Sequence, residues 1–331
     1  MTKSKHVIVT GCAGFIGSSL VDRLLSAGYQ VTGIDNFSTG KKVFLTNALA
    51  SDKFQLITMD LLQLEDLKSI FANHEMVFHL AANADVRFGV EQPFKDLEQN
   101  TLVTYNVLEA MRHNDIKKII FSSTGSVYGE ATVIPTPENA PFPIQTSLYG
   151  ASKVAGEGLI AAYCEAYAMQ AWIFRFVSIL GERYTHGHVF DFYQQLCADT
   201  TALKVLGNGL QRKSYLYVQD CLDAIFCALD NAQEKINILN LGTNEYCQVN
   251  DSIKWITQHL QLQPKIDYSG GERGWIGDNP FIFLNCDKMR SYGWAPKFSI
   301  QEGIIKTLVY LENNAAKLSG EVDAKCNYIR S

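Results

Sequence analysis

The chain has 331 residues, of which 47% are hydrophobic and 19% are charged, and its formal net charge is −5. This composition is typical of a globular protein made of one large unit or two fused ones. The negative charge argues against a general nucleic-acid binder, and no apolar run reaches the roughly 18 residues of a membrane span. Eight cysteines without a CxxC pair, and no secretory signal pattern, predict a cytoplasmic protein with reduced thiols and no metal site.

Short apolar runs alternate with helical patterns through the first half of the chain. The runs predict strands at residues 6–10, 30–34, 54–59, 76–80, 118–122 and 171–177. The helical patterns lie between them, at residues 16–27, 64–71, 97–112 and 149–167. This alternation predicts an α/β fold with a doubly wound parallel (Rossmann) sheet, which binds ligands at the carboxyl ends of its strands.

The pattern loosens after about Gly181. Later residues predict a strand at 215–218, an apolar helix at 221–229, a strand at 236–241 and a glycine-rich irregular region at 268–280. We therefore predict a Rossmann domain at residues 1–180 that is completed by residues 215–242. Residues 181–214 and 243–331 are predicted to form a smaller C-terminal substrate lobe.

Glycines spaced G-x-x-G-x-x-G join the first predicted strand to the first predicted helix. Gly11 permits a tight turn, Gly14 lets the backbone approach a pyrophosphate, and Gly17 lets the helix pack closely on the strand. Free N–H groups at the helix start, where Phe15 and Ile16 stand, attract phosphates. The position of these glycines at the first strand–helix junction predicts a dinucleotide-binding turn.

Asp35 ends the second predicted strand, where an acid meets the adenosine ribose hydroxyls of a dinucleotide. Its carboxylate would repel a 2′-phosphate, which favours NAD over NADP as the cofactor. Asn36, Ser38 and Leu61 are further predicted cofactor contacts. Asp60 fits either a contact with the adenine edge or the N-cap of the next helix, and both interpretations remain open.

A tyrosine and a lysine stand four residues apart at the start of the predicted helix at 149–167. This spacing places the Tyr149 phenol and the Lys153 ammonium on one helix face, although surface pairs of this kind also arise by chance. A positive charge stabilises phenolate and lowers the Tyr pKa towards neutrality. Tyr149 could then take a proton from a sugar or alcohol hydroxyl and return it later.

Seven stretches together resemble the extended short-chain dehydrogenase/reductase family, in particular its NAD-dependent nucleotide-sugar epimerases. They are TGCAGFIG (10–17), DNFSTG (35–40), HLAA (79–82), FSSTGSVYGE (121–130), YGASK (149–153), QRKSYLYVQD (211–220) and GERGWIGDNP (271–280). The resemblance extends over nearly the whole chain. It is much more specific for the family than for one substrate.

The resemblance implies a role for each matching residue. Thr124 would hydrogen-bond the reacting hydroxyl, Tyr149 would be the acid/base, and Lys153 would bind the nicotinamide ribose and lower the Tyr149 pKa. Further implied cofactor contacts are Leu80, Ala81, Ala82, Asn100, Ser122 and Val177. The implied substrate contacts are Arg212 and Arg273 at the diphosphate, together with Ser178 and Val189.

The two residues after Thr124 bear on the reaction. Dehydratases of the family usually have a Thr-Asp-Glu run there, and sugar-acid decarboxylases often have Glu where Ser126 stands, whereas this chain has Gly125 and Ser126. The missing acids favour reversible oxidation at C4 of a nucleotide-diphosphate sugar, with a UDP-sugar preferred. The alternatives are a dehydratase, a decarboxylase, an epimerase acting at another carbon, or a non-catalytic NAD-sensing protein.

Some positions depart from the family pattern or have more than one interpretation. Ser178 stands where many epimerases have an Asn that contacts the diphosphate, and Asn285 where the family often has Asp. His186 and His188 are either substrate ligands or loop residues. Asp85 and Arg87 could either reach the sugar or form a salt bridge within their loop. The resemblance also implies a homodimer formed through the helices at 97–112 and 149–167.

Overall fold

The computed structural model describes residues 5–83, 88–141, 144–274 and 281–318. Asp85 and Arg87, which the sequence offered as sugar contacts, lie outside the described residues. The strands are β1 (His6–Thr10), β2 (Gln30–Asp35), β3 (Phe54–Thr58), β4 (Met76–His79), β5 (Lys118–Thr124), β6 (Gln170–Phe176), β7 (Ser178–Leu180), β8 (Ala202–Val205), β9 (Arg212–Lys213), β10 (Tyr215–Tyr217), β11 (Ile236–Leu241), β12 (Cys247–Gln248) and β13 (Lys265–Tyr268).

The α-helices are α1 (Phe15–Ser26), α2 (Thr46–Leu49), α3 (Leu64–Ile70), α4 (Phe88–Glu91), α5 (Pro93–Asp96), α6 (Val103–His113), α7 (Leu148–Tyr167), α8 (His188–Ala198), α9 (Val218–Asn231), α10 (Val249–His259), α11 (Asp287–Ser291) and α12 (Ile300–Leu318). Short 3₁₀ turns cover Lys42–Leu45 and Gly125–Tyr128, and a π-helical segment covers Leu97–Leu102. None of the helices in the described residues combines the length and hydrophobicity needed to cross a bilayer.

Seven parallel strands form the central sheet in the order β11-β6-β5-β4-β1-β2-β3. The predicted doubly wound α/β fold is therefore confirmed. The strand order reverses between β1 and β4, which is where a sheet of this class leaves a ligand crevice at its carboxyl edge. Thr10 and His79 end these two strands side by side in register.

Alternate residues of the strands enter two separate cores because successive side chains point to opposite faces of a sheet. Val7 and Val9 of β1 belong to a buried cluster that includes Leu20 of α1, whereas Ile8 belongs to one that includes Val107 of α6. Helices thus cover both faces. This arrangement explains why the strands read as nearly continuous apolar runs.

The predicted helix at 97–112 differs from the structure. Residues Leu97–Leu102 form the π-helical segment, and the α-helix proper runs from Val103 to His113. Asn100, a predicted cofactor contact, lies inside the π-helical segment. Such segments frequently occur at functional sites, and hydrophobic spacing alone does not separate them from ordinary helix.

Three short strand pairs lie outside the central sheet: β7 with β10, β8 with β13, and β9 with β12. After α9 the chain returns to the central sheet, where β11 pairs with β6. The sequence predicted a return to the first domain at residues 215–242, and β11 lies within this range. The division into two domains with the bounds given above stays a prediction.

Candidate active site

The glycine turn between β1 and α1 is packed so tightly that side chains are excluded. Gly11 has a φ of +68°, and a Cβ there would lie 2.7 Å from the backbone nitrogen of Ala81. A Cβ on Gly17 would lie 2.0 Å from the carbonyl oxygen of Gly11. The turn therefore requires glycine for its backbone conformation at one position and for close packing at the other.

The N-terminus of α1 suits a pyrophosphate. Gly14 is its N-cap and contributes no side-chain hydrogen bond to the helix. The first N–H groups of a helix have no acceptor within it, so those at Phe15 and Ile16 are placed to bind anionic oxygens together with the positive end of the helix dipole. The residues present thus fit the phosphate groups of a dinucleotide.

Asp35 lies at the end of β2, beside this turn, and is 9% exposed. Its carboxylate accepts hydrogen bonds from the backbone nitrogens of Ala13 and Phe37, both at 2.8 Å. These bonds fix the carboxylate against the glycine turn. Its contact with the adenosine ribose stays a prediction that this position supports.

Asp60 lies on the loop after β3. Its carboxylate accepts hydrogen bonds from the side-chain amide of Asn36 at 3.0 Å and from the backbone nitrogen of Leu62 at 2.9 Å. Asn36 in turn accepts one from the backbone nitrogen of Ser38 at 3.0 Å. Because Gln63 is the N-cap of α3, the N-cap interpretation of Asp60 is wrong. Its contact with the adenine edge stays a prediction.

His79 connects the two strands at the point where the strand order reverses. One ring nitrogen lies 2.7 Å from the Thr10 hydroxyl and the other lies 3.1 Å from the Thr104 hydroxyl. Burial lowers the pKa of His79 to about 3, so the ring is neutral. The predicted cofactor contacts near this point are half-buried at Leu80, Ala81 and Ala82, and buried at Leu61.

Asn100 is buried, and its side chain links two elements of the structure through hydrogen bonds. Its amide nitrogen donates to the Ser152 hydroxyl at 2.9 Å, and its amide oxygen accepts from the backbone nitrogen of Asn83 at 2.8 Å. The Ser152 hydroxyl donates to the carbonyl of Tyr149 at 2.8 Å. The π-helical segment is thus linked to the first turn of α7, which carries the predicted catalytic tyrosine.

Thr124 and Tyr149 meet at the carboxyl edge of the sheet. Thr124 is the last residue of β5, and its hydroxyl accepts a hydrogen bond from the backbone nitrogen of Ser126 at 3.1 Å. Tyr149 is the second residue of α7, whose N-cap Ser147 accepts from the backbone nitrogen of Gly150 at 3.0 Å. The Thr124 side chain lies close enough to the Tyr149 phenol to lower its pKa.

The phenol of Tyr149 does not have the lowered pKa that the sequence predicted. Although part of the side chain is exposed, its crowded surroundings favour the neutral form, and burial raises its pKa to about 12. The nearby Thr124 hydroxyl lowers the pKa of Tyr149, and the negative charge of Asp96 raises it. Spacing along a helix could not reveal either the burial or Asp96.

Lys153 is 2% exposed and points to β5. Its ammonium donates to the carbonyl of Ser122 at 2.8 Å and lies 4.7 Å from the centre of the Phe121 ring. Burial lowers the pKa of Lys153 to about 7, while the charges of Glu157 and Asp96 raise it. The lysine thus carries a charge that titrates near neutral pH, which spacing alone did not predict.

The two predicted diphosphate ligands occupy different surroundings. Arg212 lies in β9, is exposed, and places its guanidinium 3.8 Å from the centre of the Phe281 ring and 5.7 Å from that of Tyr246. Arg273 forms an ion pair with Glu130, in the segment that follows Thr124. Their joint role at a diphosphate stays a prediction.

The remaining predicted substrate contacts are Ser178 and Val189. Ser178 is exposed and pairs in register with Tyr215, whose hydroxyl lies 2.5 Å from a ring nitrogen of His188. Burial lowers the pKa of His188 to about 3, so it is a neutral partner of this tyrosine. Val189 is fully buried, and its contact with a substrate stays a prediction.

Two further predictions concern the core and metal binding. Val177, a predicted cofactor contact, is 5% exposed, and its backbone nitrogen donates to the carbonyl of Leu241 at 3.0 Å. The cysteines of the described ranges are free thiols. Within those ranges, the structure contains no group of three or more His, Cys, Asp or Glu side chains suited to a metal ion.

Comparison with known proteins identifies the family. Residues 7–242 match the model of the NAD dependent epimerase/dehydratase family. The chain belongs to this family. It is therefore an NAD-dependent enzyme, and the glycine turn described above fits the cofactor.

Relatives and solved structures resemble the chain over nearly its whole length. A putative UDP-glucose 4-epimerase of Methanocaldococcus jannaschii is 34% identical over 93% of this chain and 99% of the relative. The structure of a UDP-glucose 4-epimerase from Thermotoga maritima with UDP-glucose has a TM-score of 0.85 and 30% identity, covering 94% of this chain and 99% of that one. A UDP-glucose 4-epimerase complex with NAD from Thermus thermophilus has a TM-score of 0.82 and 30% identity, covering 96% and 100%.

The relatives are not confined to one reaction. A UDP-N-acetyl-alpha-D-glucosaminuronate decarboxylase of Bacillus cytotoxicus is 32% identical over 79% of this chain and 82% of the relative. Membership of the family thus establishes an NAD-dependent enzyme. It leaves the carbon and the reaction to be argued from the residues themselves.

Buried charges near the tyrosine–lysine pair were not singled out from the sequence. Asp96 is 1% exposed, and its carboxylate accepts a hydrogen bond from the Asn83 side chain at 2.8 Å. Glu157 is 5% exposed and follows Lys153 by one helical turn. The spacing of Glu157 was an available signal, whereas Asp96 comes from a different helix and no local pattern points to it.

Proposed function

We propose that this protein is a UDP-sugar 4-epimerase that oxidises the sugar at C4 to a transient 4-keto sugar and reduces it on the opposite face. The observation that carries the proposal is the proximity of Thr124 and Tyr149. The two residues that follow Thr124 in the chain are Gly125 and Ser126 rather than acids. Packing supports it, because a Cβ on Gly125 would lie 2.6 Å from the Ile282 side chain. An acidic side chain at 125 would not fit without displacing Ile282.

The proton is the part of the chemistry that this chain's residues carry. NAD, when bound, supplies a reversible hydride acceptor and a positive charge. Tyr149 takes the proton from the sugar 4-hydroxyl, which Thr124 helps to orient, and returns it after the sugar has turned over. Burial favours neutral Tyr149, so phenolate requires nearby positive charge, of which Lys153 is the protein's own source.

Anchoring of the nucleotide is assigned to Arg212 and Arg273, because a diphosphate is dianionic and Arg forms paired charge-assisted hydrogen bonds. A firm hold on the diphosphate with few sugar contacts would let the 4-keto sugar rotate. The exposed guanidinium of Arg212 on its aromatic support is suited to this role.

Arg212→Met is expected to raise the KM for UDP-glucose about tenfold or more, because a hydrogen bond to a charged group contributes about 1.5–3 kcal/mol. The kcat should change much less, since the arginine does not touch the reacting carbon. Steady-state kinetics measure both. The matched control is Arg290→Met, which removes an arginine on α11 that pairs with Asp287. Equal KM values for the two variants would contradict the anchoring role.

The reaction is tested by incubating the purified protein with UDP-glucose, UDP-galactose and their N-acetylamino and uronate relatives, and resolving the products by NMR. Recovery of the 4-epimer without added NAD supports the proposal. A 4-keto-6-deoxy product would identify a dehydratase, and carbon dioxide with a pentose nucleotide would identify a decarboxylase. No turnover of any sugar would favour the NAD-sensing alternative.

We also propose a homodimer formed through the π-helical segment, α6 and α7, where Leu97, Leu102, Tyr105, Leu148 and Tyr167 are exposed. Exposed large apolar side chains on neighbouring helices are typical of protein interfaces. Leu102→Glu is expected to shift sedimentation from dimer to monomer, whereas Val43→Glu, at an exposed site outside these helices, leaves it unchanged. A monomeric native protein would contradict the proposal.

A further inference from the structure

Glu157 is a buried carboxylate that the proposed proton transfer does not use. It accepts hydrogen bonds from the Ser123 hydroxyl at 2.5 Å and from Arg175 Nε and Nη2 at 3.0 and 2.7 Å. Arg175 is 2% exposed. A buried charge pair with all these bonds costs much desolvation, so its position next to the candidate catalytic residues calls for a reason beyond stability.

Three consecutive residues at the end of β5 contact three residues of α7. The Ser122 carbonyl accepts a hydrogen bond from the Lys153 ammonium, the Ser123 hydroxyl donates to Glu157, and the Thr124 side chain lies near the Tyr149 phenol. The middle contact lies directly between the two that position the candidate catalytic groups. It therefore constrains how α7 sits along the strand.

Arg175 extends the same network beneath the turn that follows Thr124. Its Nη1 donates to the Tyr128 hydroxyl at 2.7 Å, and the guanidinium lies 4.8 Å from the centre of the Tyr128 ring. The Tyr128 hydroxyl donates to the side chain of Asn240 in β11 at 2.9 Å. Hydrogen bonds thus connect Glu157 to β5 directly through Ser123. They connect it to β11 indirectly, through Arg175 and Tyr128.

We propose that Glu157 is a positioning residue: held by Ser123 and Arg175, it keeps Lys153 at the Ser122 carbonyl and keeps that lysine charged beside Tyr149. The inference rests on the proposed function for its catalytic meaning. The charge of Glu157 raises the Lys153 pKa even though its oxygens accept hydrogen bonds from Ser123 and Arg175.

The charges that face Lys153 come from several elements. They are neutral His79 on β4, Asp96 on α5 and Glu157 on α7. Burial lowers the Lys153 pKa, and Glu157 is the larger of the two influences that raise it. Without that negative charge the Lys153 pKa falls further, so the ammonium form, present below the pKa, is lost at a lower pH.

The experiment compares the wild-type holoenzyme with Glu157→Gln. Lysine labelled with ¹³C at Cε is titrated by NMR, and the Lys153 signal is assigned by its loss in Lys153→Met. The Lys153 midpoint should move to lower pH in Glu157→Gln, and kcat at pH 8 should fall about tenfold or more with KM nearly unchanged. Glu165→Gln is the matched control, because Glu165 lies on the same helix but is exposed and pairs with Lys235.

An unchanged Lys153 midpoint in Glu157→Gln would overturn the inference, even if the variant were less stable. If this variant does not fold, Glu157→Gln/Arg175→Met removes the buried Arg175 charge as well, and the same downward shift is expected of it. The titration requires no turnover. Failure of the wild type to epimerise UDP-sugars would therefore refute the proposed function, while the midpoint would still decide the role of Glu157.

Discussion

Tyr149→Phe is expected to lower the kcat for interconversion of UDP-glucose and UDP-galactose by about 10²- to 10⁴-fold, the usual contribution of a positioned acid/base. The change removes only the phenol oxygen, which lies near the Thr124 side chain at the end of β5. Because the proposed nucleotide anchors lie elsewhere, the KM should change little. Initial rates and the NAD content of the purified variant measure the two effects separately.

The control for this variant is Tyr167→Phe, at the last residue of the same helix. Tyr167 is 41% exposed, so loss of its hydroxyl should leave turnover unchanged. Normal turnover by Tyr149→Phe would refute the proposed proton transfer. Loss of bound NAD from Tyr149→Phe, with intact fold, would assign the tyrosine to cofactor binding instead.

The fold was predictable because its signals are local. Each strand of the first half is an apolar run, and the glycine turn marks the first junction of strand and helix without reference to any other part of the chain. The predicted and observed elements differ mainly at their ends. The predicted strand at 118–122, for example, continues as β5 to Thr124 because residues 122–124 remain paired with 174–176 of β6. Pairing with a distant strand is information that a local pattern does not contain.

The sequence predicts the members of the candidate site, but it does not predict their electrostatics. The Tyr149 pKa is raised and the Lys153 pKa is lowered, and the catalytic roles of these residues stay predictions. Both shifts arise mainly from burial, which depends on packing by elements far apart in the chain. The charge of Asp96, which reaches both groups, comes from a helix more than fifty residues earlier.

The ion pair of Arg273 is another feature that local sequence patterns do not predict. Arg273 resembles a diphosphate ligand in the sequence, and the structure pairs it with Glu130. The two residues lie far apart in the chain, and both positions are exposed, where charge patterns carry little information about partners. A diphosphate would therefore compete with a carboxylate for this arginine, which no motif had indicated.

Gly17→Ala is expected to remove bound NAD from the purified protein. The added Cβ would lie 2.0 Å from the carbonyl oxygen and 2.9 Å from the carbonyl carbon of Gly11, and backbone atoms cannot turn away as a flexible side chain does. The start of α1 must then move off the turn that cradles the phosphates. Overpacking of this kind should lower the free energy of unfolding by about 1–3 kcal/mol.

A second glycine in a helix separates the packing clash from the effect of a methyl group. Gly158 is exposed within α7, and a Cβ there would meet no atom within 4 Å. Gly158→Ala should therefore retain NAD and raise the free energy of unfolding by about 0.5–1 kcal/mol, because alanine restricts the unfolded chain and favours helix. Urea denaturation and the NAD released on denaturation measure both variants. If Gly17→Ala retained all of its NAD, α1 could shift without disturbing the phosphate site. The tight contact between Gly17 and Gly11 would then not be required for NAD binding.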